Sequence, residues 1–245
     1  MTDATAHDVQ AALAEVASPE RASGSARFFK TGPGEYGEGD VFIGVTVPAT
    51  RVVVKRFRDL PLSEVDALLE SQVHEHRLAG LLIVVDRFER ASSARGRDEV
   101  ARRELVEYYL TAVRAGQVNN WDLVDATAPT VLGGYLLDRP RDILFELAAS
   151  DVLWHRRVAV VATAGFINAG DPSTTLQLAE LLLDDRVDLM QKAVGWMLRE
   201  VGKRVDRAVL TGFLDEFAAR LGRTALSYAT EHLPPEERAR YRAMR

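Results

Sequence analysis

From Val9 onward apolar residues recur every three to four positions, and no stretch alternates apolar with polar as a half-buried strand would. That periodicity admits helices. Breaks at Gly or Pro, or just ahead of a capping residue, fall at Pro48, Pro61 with Ser63, Gly116, Arg139-Pro140, Asp171-Pro172, Gly222 and Pro234-Pro235. They predict helices over 3–17, 20–29, 48–58, 63–72, 74–90, 97–115, 119–137, 139–149, 151–168, 172–184, 188–202, 206–221, 223–231 and 235–243. Helices of this length, paired about every 40 residues, mark HEAT-like or armadillo-like solenoids. Low internal identity leaves a compact non-repeat bundle as the other all-α arrangement. The expected fold is therefore all-α, a single HEAT-like repeat domain over 1–245, a helical repeat solenoid whose concave face would cradle a rod such as duplex DNA.

Composition narrows the chemistry. There is no cysteine, which removes disulfides, thiolate zinc sites and iron–sulfur clusters. His74 and His76 flank Glu75, but side chains two positions apart leave a helix on different sides, so no metal site is expected. No cofactor is expected either. The polar stretch Met1 to Glu15 lacks the pattern of a signal peptide, and the longest apolar run, Leu78 to Val85, falls far short of a membrane span. A cytoplasmic, nucleoid-associated monomer with no membrane partner is the expectation. The net charge of -5 argues against a surface coated in basic residues. Its distribution is uneven: residues 21–60 hold seven Arg or Lys against four acids, and 61–125 hold eight against twelve.

The segment Phe28 to Asp40 carries four glycines and a proline and cannot propagate a helix. It is a linker between helices or a DNA-contacting loop using Lys30 and Tyr36. No Gly-Lys-Ser/Thr follows it, so it is not a nucleotide-binding loop.

Three side chains fall where helical periodicity would not put them. On a wheel over 119–137, Asp125 lies among Trp121, Ala128, Leu132 and Leu136, and a carboxylate there must meet a cation, line an open cleft or do chemistry. Capping or simple hydration at a helix start is the plain alternative. Arg157 repeats the anomaly with opposite sign among Leu153, Trp154, Val160, Val161 and Ala164, so either a structural Asp125–Arg157 pair or a shared anion site would explain both. Trp196 projects off the core face of its helix beside Lys192, Arg199 and Lys203, an aromatic in a basic stripe. Packing on the next repeat would explain it too.

Three segments carry a family resemblance. Trp121-Asp122-Leu123-Val124-Asp125-Ala126-Thr127-Ala128-Pro129-Thr130-Val131-Leu132-Gly133 resembles the Trp-Asp-x-x-Asp segment of AlkD-type DNA alkylation-repair glycosylases. Asp151 to Arg157 and Gln191 to Glu200 are similar to two further motifs of that family, in the same order and spacing. The resemblance implies a HEAT-like DNA N-glycosylase acting on duplex DNA that contains N3- or N7-alkylated purines. It makes Asp125 the catalytic carboxylate, Trp121 and Trp196 the lining of the site, and Arg157 a DNA contact. Lys30-Thr31-Gly32-Pro33-Gly34-Glu35-Tyr36-Gly37-Glu38-Gly39-Asp40 is similar to a loop found in only a subset of the family. Two other classes stay open: a non-enzymatic HEAT-like module for damaged or branched DNA, and a protein-binding solenoid scaffold.

Overall fold

The structure is a computed structural model that describes residues 4–244. Asp3, the first residue of the helix expected over 3–17, lies outside them. The chain is all-α, with no strand among the described residues; one parallel bridge joins Val41 to Val73. It divides into two compact units, one ending at Thr127 and one starting at Ala128.

The first unit runs α1 (Ala6–Ala14), α2 (Pro19–Phe28), α3 (Val47–Val54), α4 (Leu62–Leu69), α5 (His74–Ser92), α6 (Glu99–Arg114) and α7 (Trp121–Asp125). Starts are set by side chains that accept the orphan N–H groups of a first turn: Thr5, Ser18, Thr46, Asp98 and Asn120. Helix α5 is central because every residue from Leu78 to Val85 is buried, and α1, α3, α4 and α6 pack around it. At Gly80 a Cβ would stand 3.2 Å from Leu68 Cβ, so the missing side chain lets α4 close on α5.

The second unit begins with a π turn (Pro129–Gly133) and a 3-10 turn (Leu136–Asp138). It continues through α8 (Asp142–Ala148), α9 (Leu153–Ala162), α10 (Ala164–Asn168), α11 (Ser173–Leu181), α12 (Asp188–Arg204), α13 (Arg207–Phe217), α14 (Arg223–Ala229) and α15 (Pro235–Ala243). Helix α12 is its axis, with α9, α13 and α14 against it. Its core face is Met190, Ala193, Val194, Met197 and Val201, all buried.

Two expected helices are broken. The one over 119–137 splits into α7, the π turn and the 3-10 turn, because Pro129 has no N–H to return to Asp125. The wheel that set Ala128, Leu132 and Leu136 in line with Asp125 therefore does not extend past Asp125. The helix over 151–168 breaks at Thr163, whose hydroxyl donates to Val160 O at 2.7 Å.

A repeat shows in the hydrogen bonds. Before α5, Val73 N–H donates to Ser71 Oγ (3.1 Å), Ser71 Oγ bonds His76 Nδ1 (2.9 Å) and Arg77 donates to Ser71 O (2.9 Å). Before α9, Val152, Ser150, His155 and Arg156 repeat this at 3.1, 3.0 and 2.9 Å. Before α12, Val187 N–H donates to Asp185 Oδ1 at 2.9 Å, and Arg156 Nε donates to Asp185 Oδ2 at 2.8 Å. Stacked helical pairs with a common helix start are what a HEAT-like solenoid is built from.

Candidate functional site

Helix α7 is five residues long, too short to be stable by itself. Asn120 caps it by accepting from Trp121 N–H at 2.8 Å. Trp121 and Asp125, four residues apart, share one face, and both are half-buried. Asp125 stands near the fully buried Tyr109, whose hydroxyl bonds Thr127 Oγ1 at 2.9 Å. Burial, and to a smaller degree the charge of Asp125, push that phenol well above its ordinary range.

Behind the helix lies a buried ionic network. Asp122 Oδ2 is 2.8 Å from His74 Nε2, and Asp40 Oδ2 is 3.1 Å from His74 Nδ1. Arg77 donates to Asp40 Oδ1 at 2.6 Å, and Asn120 Nδ2 donates to Asp40 Oδ2 at 3.2 Å. The His74 side chain is 2% exposed, with carboxylates on both ring nitrogens. A neutral imidazole would set a lone pair against one of them; an imidazolium donates to both. Burial is the largest single effect and opposes that charge, but the bonds and charges of Asp122 and Asp40 together outweigh it and raise the pKa above 6.5. Asp40 is likewise lowered: burial opposes its charge, and His74 and Arg77 prevail. Two cations and two anions balance, with no ring nitrogen left for a metal ion. Among the described residues no group of three or more His, Cys, Asp or Glu is arranged to hold one.

The same network pins the glycine-rich segment. Asp40 ends it, Val41 pairs with Gln72 and His74 through the backbone, and Glu75 accepts from the N–H groups of Ile43, Gly44 and Val45 at 2.8 to 3.2 Å. Gly44 has φ +77°, and a Cβ there would sit 2.1 Å from Ser18 O, so only glycine fits. Around His74 the rings stack: Phe42 on His74 (4.6 Å), Phe29 on Phe42 (4.8 Å) and Phe29 on Trp121 (5.0 Å, planes 8° apart). Phe29 thus covers one face of the Trp121 indole. Lys30 is exposed at φ +53°, its Nζ 6.0 Å from the ring centre of the half-buried Tyr36.

In the second unit Trp196 is half-buried on α12. Lys192 pairs with Asp188 at 2.8 Å, and Arg199 is held by Glu200 at 3.2 Å and by Glu231. Lys203 is exposed and lines a cavity of about 220 Å³ with Arg199, Arg207 and His232. Arg157 is 4% exposed and donates to Leu189 O at 2.7 Å, tying α9 to the first turn of α12. No helix among the described residues is long and apolar enough to cross a membrane.

Sequence reasoning weighed Asp125, considered His74 only as a metal ligand, and gave no role to Asp40, Arg77 or Asp122. The available signal was His74 at the head of a helix whose next turns are wholly apolar. Its partners lie 34 and 48 residues away along the chain, which no local pattern reports.

The family model for DNA alkylation repair enzymes matches residues 9–233. A comparison with curated proteins found no match. Among solved structures, a predicted DNA alkylation repair enzyme from Enterococcus faecalis is 19% identical, with a TM-score of 0.70, covering 89% of this chain and 97% of that one. That likeness shows a shared fold.

Proposed function

The chain belongs to the DNA alkylation repair enzyme family, and from that premise we propose that it is an AlkD-type DNA N-glycosylase releasing positively charged N3- and N7-alkylated purines from duplex DNA. The observation that carries this reading is the pairing of Trp121 and Asp125 on one face of a single helical turn, anchored from behind by Asp122.

Alkylation at N3 or N7 leaves the purine cationic, so its glycosidic bond is weakened before the enzyme acts and no general acid is needed. What develops in the transition state is positive charge on the deoxyribose. Asp125, half-buried, supplies the opposite charge where water screens it less, and it can orient the attacking water. Trp121, on the same turn as Asp125, offers an aromatic face to the sugar cation. Recognition through the sugar-phosphate backbone needs no base flipping, so bulky adducts are accepted as well as methyl groups. Lys30, Tyr36, Lys192, Arg199 and Lys203 are the proposed DNA contacts. Arg157, almost fully enclosed, acts on DNA through the α12 turn that it holds.

The test is Asp125→Asn, which keeps shape and removes charge. On duplexes with 7-methylguanine or a bulky N3-adenine adduct, single-turnover excision falls about 10²- to 10³-fold with duplex binding retained. Uracil and hypoxanthine, which lack the activating charge, stay in place. Near-normal excision by the variant, or efficient uracil release by the native protein, would defeat the reading. Binding to duplex DNA with no excision of any adduct would favour the non-enzymatic DNA-binding module.

A further inference from the structure

We propose that Phe28 and Trp121 form an aromatic seat for one nucleobase left unstacked once the alkylated purine has been released, with Arg27 and Lys30 as flanking phosphate contacts; this rests on the reading above that Trp121 lines the DNA site. Phe28, the last residue of α2, is 66% exposed, an unusual place for a phenyl ring. It is nevertheless held in position. Its ring meets Trp121 edge to face at 5.7 Å and Phe29 at 5.4 Å with planes 87° apart. Phe29 is in turn stacked between Trp121 and Phe42. The segment that follows is pinned by Asp40 to His74 and Arg77, so the exposed ring stands on a rigid base.

The local charge identifies the occupant. Arg27 and Lys30 flank the aromatic pair in sequence, both are exposed, and neither has a carboxylate partner among the described residues. A fixed aromatic surface between exposed cations suits a base on a phosphate backbone: every base has a π face, and cations would repel a basic partner and do nothing for a neutral one. In intact duplex the bases are stacked on one another and offer no free face. The seat is therefore filled only where a base has lost its stacking partner, and Phe28 contributes preference for abasic over intact DNA.

The experiment measures binding of the full chain to a duplex with 2-aminopurine opposite a tetrahydrofuran abasic-site analogue, and to the intact duplex. The native protein binds the abasic duplex more tightly and changes the 2-aminopurine emission as the base stacks on the seat. Phe28→Ala weakens abasic-duplex binding about ten-fold, weakens intact-duplex binding far less, and abolishes the emission change. Phe28→Trp restores both. Preference and emission change that survive in Phe28→Ala, or that the native protein lacks, overturn the seat. Base excision is scored separately. Excision that fails while preference still depends on Phe28 overturns the glycosylase reading and supports the seat; intact excision with preference indifferent to Phe28 does the reverse.

Discussion

The turns that open α5 and α9 share four residues and the bonds those residues make. Ser71, Val73, His76 and Arg77 in one stand where Ser150, Val152, His155 and Arg156 stand in the other. They differ at Gln72 against Asp151 and at the first two helical positions, His74 and Glu75 against Leu153 and Trp154. The shared residues build the frame: a side-chain cap for the extended Val, and an Arg reaching back to the carbonyl ahead of it. The differing residues give the α5 end its task. His74 holds α7 through Asp122 and the glycine-rich segment through Asp40, and Glu75 gathers the N–H groups of 43–45. A repeat can therefore keep its frame while two adjacent positions convert one end into an anchor.

The largest effect should come from restoring at position 74 the residue of the other turn. His74→Leu leaves Asp122, with its side chain 11% exposed, without its cation. Stranding a buried charge costs about 3–5 kcal/mol, roughly 6–20 °C in melting temperature for a chain of this size. Excision should fall with it, because α7 then loses the bond that orients Trp121 and Asp125. A stable His74→Leu variant with native excision would reduce the anchor to ordinary packing.

The helical repeat was legible in sequence because burial of one face leaves a 3.6-residue period in every helix. The breaks at Pro129 and Thr163 were harder. Proline announces the first, but the second depends on a hydroxyl bonding back to Val160, which a wheel does not show. In the candidate site, Trp121 and Asp125 could be paired from spacing alone, since both lie on one turn. His74, Asp40 and Asp122 could not, because the chain brings them together only when the glycine-rich segment, α5 and α7 are all in place. The repeated helix start escaped notice for another reason: four matching positions in seven residues are weak as identity and clear only as bonds.

The comparison is sharpened by pH, which should act on the α5 anchor through His74 and Asp40. His74 has a folded pKa raised above 6.5, so its contribution is complete below about pH 6.5 and is lost as pH rises through the higher folded value. Asp40 is lowered below 3.8, so its share is present above about pH 4 and is lost as pH falls through the lower folded value. Between those limits the anchor is at full strength. The melting-temperature gap between the native protein and His74→Gln should be widest near pH 6 and narrow towards pH 9. A gap that stays constant across that range would mean His74 is not charged in the fold.

The smallest effect tests the frame itself. Ser71 and Ser150 make the same bonds, each accepting from a Val N–H at 3.1 Å and each meeting a His Nδ1, at 2.9 and 3.0 Å. Each is exposed to loss in the same way: alanine would leave the Val N–H to water and the His ring without its polar neighbour. Removing such a capping hydroxyl costs about 1 kcal/mol. Ser71→Ala and Ser150→Ala should therefore destabilise by equal amounts in chemical denaturation, although only Ser71 leads into the helix that anchors α7. A Ser71→Ala cost several times that of Ser150→Ala would show that the Ser71 turn is coupled to His74, three residues on, and that frame and anchor are one structure.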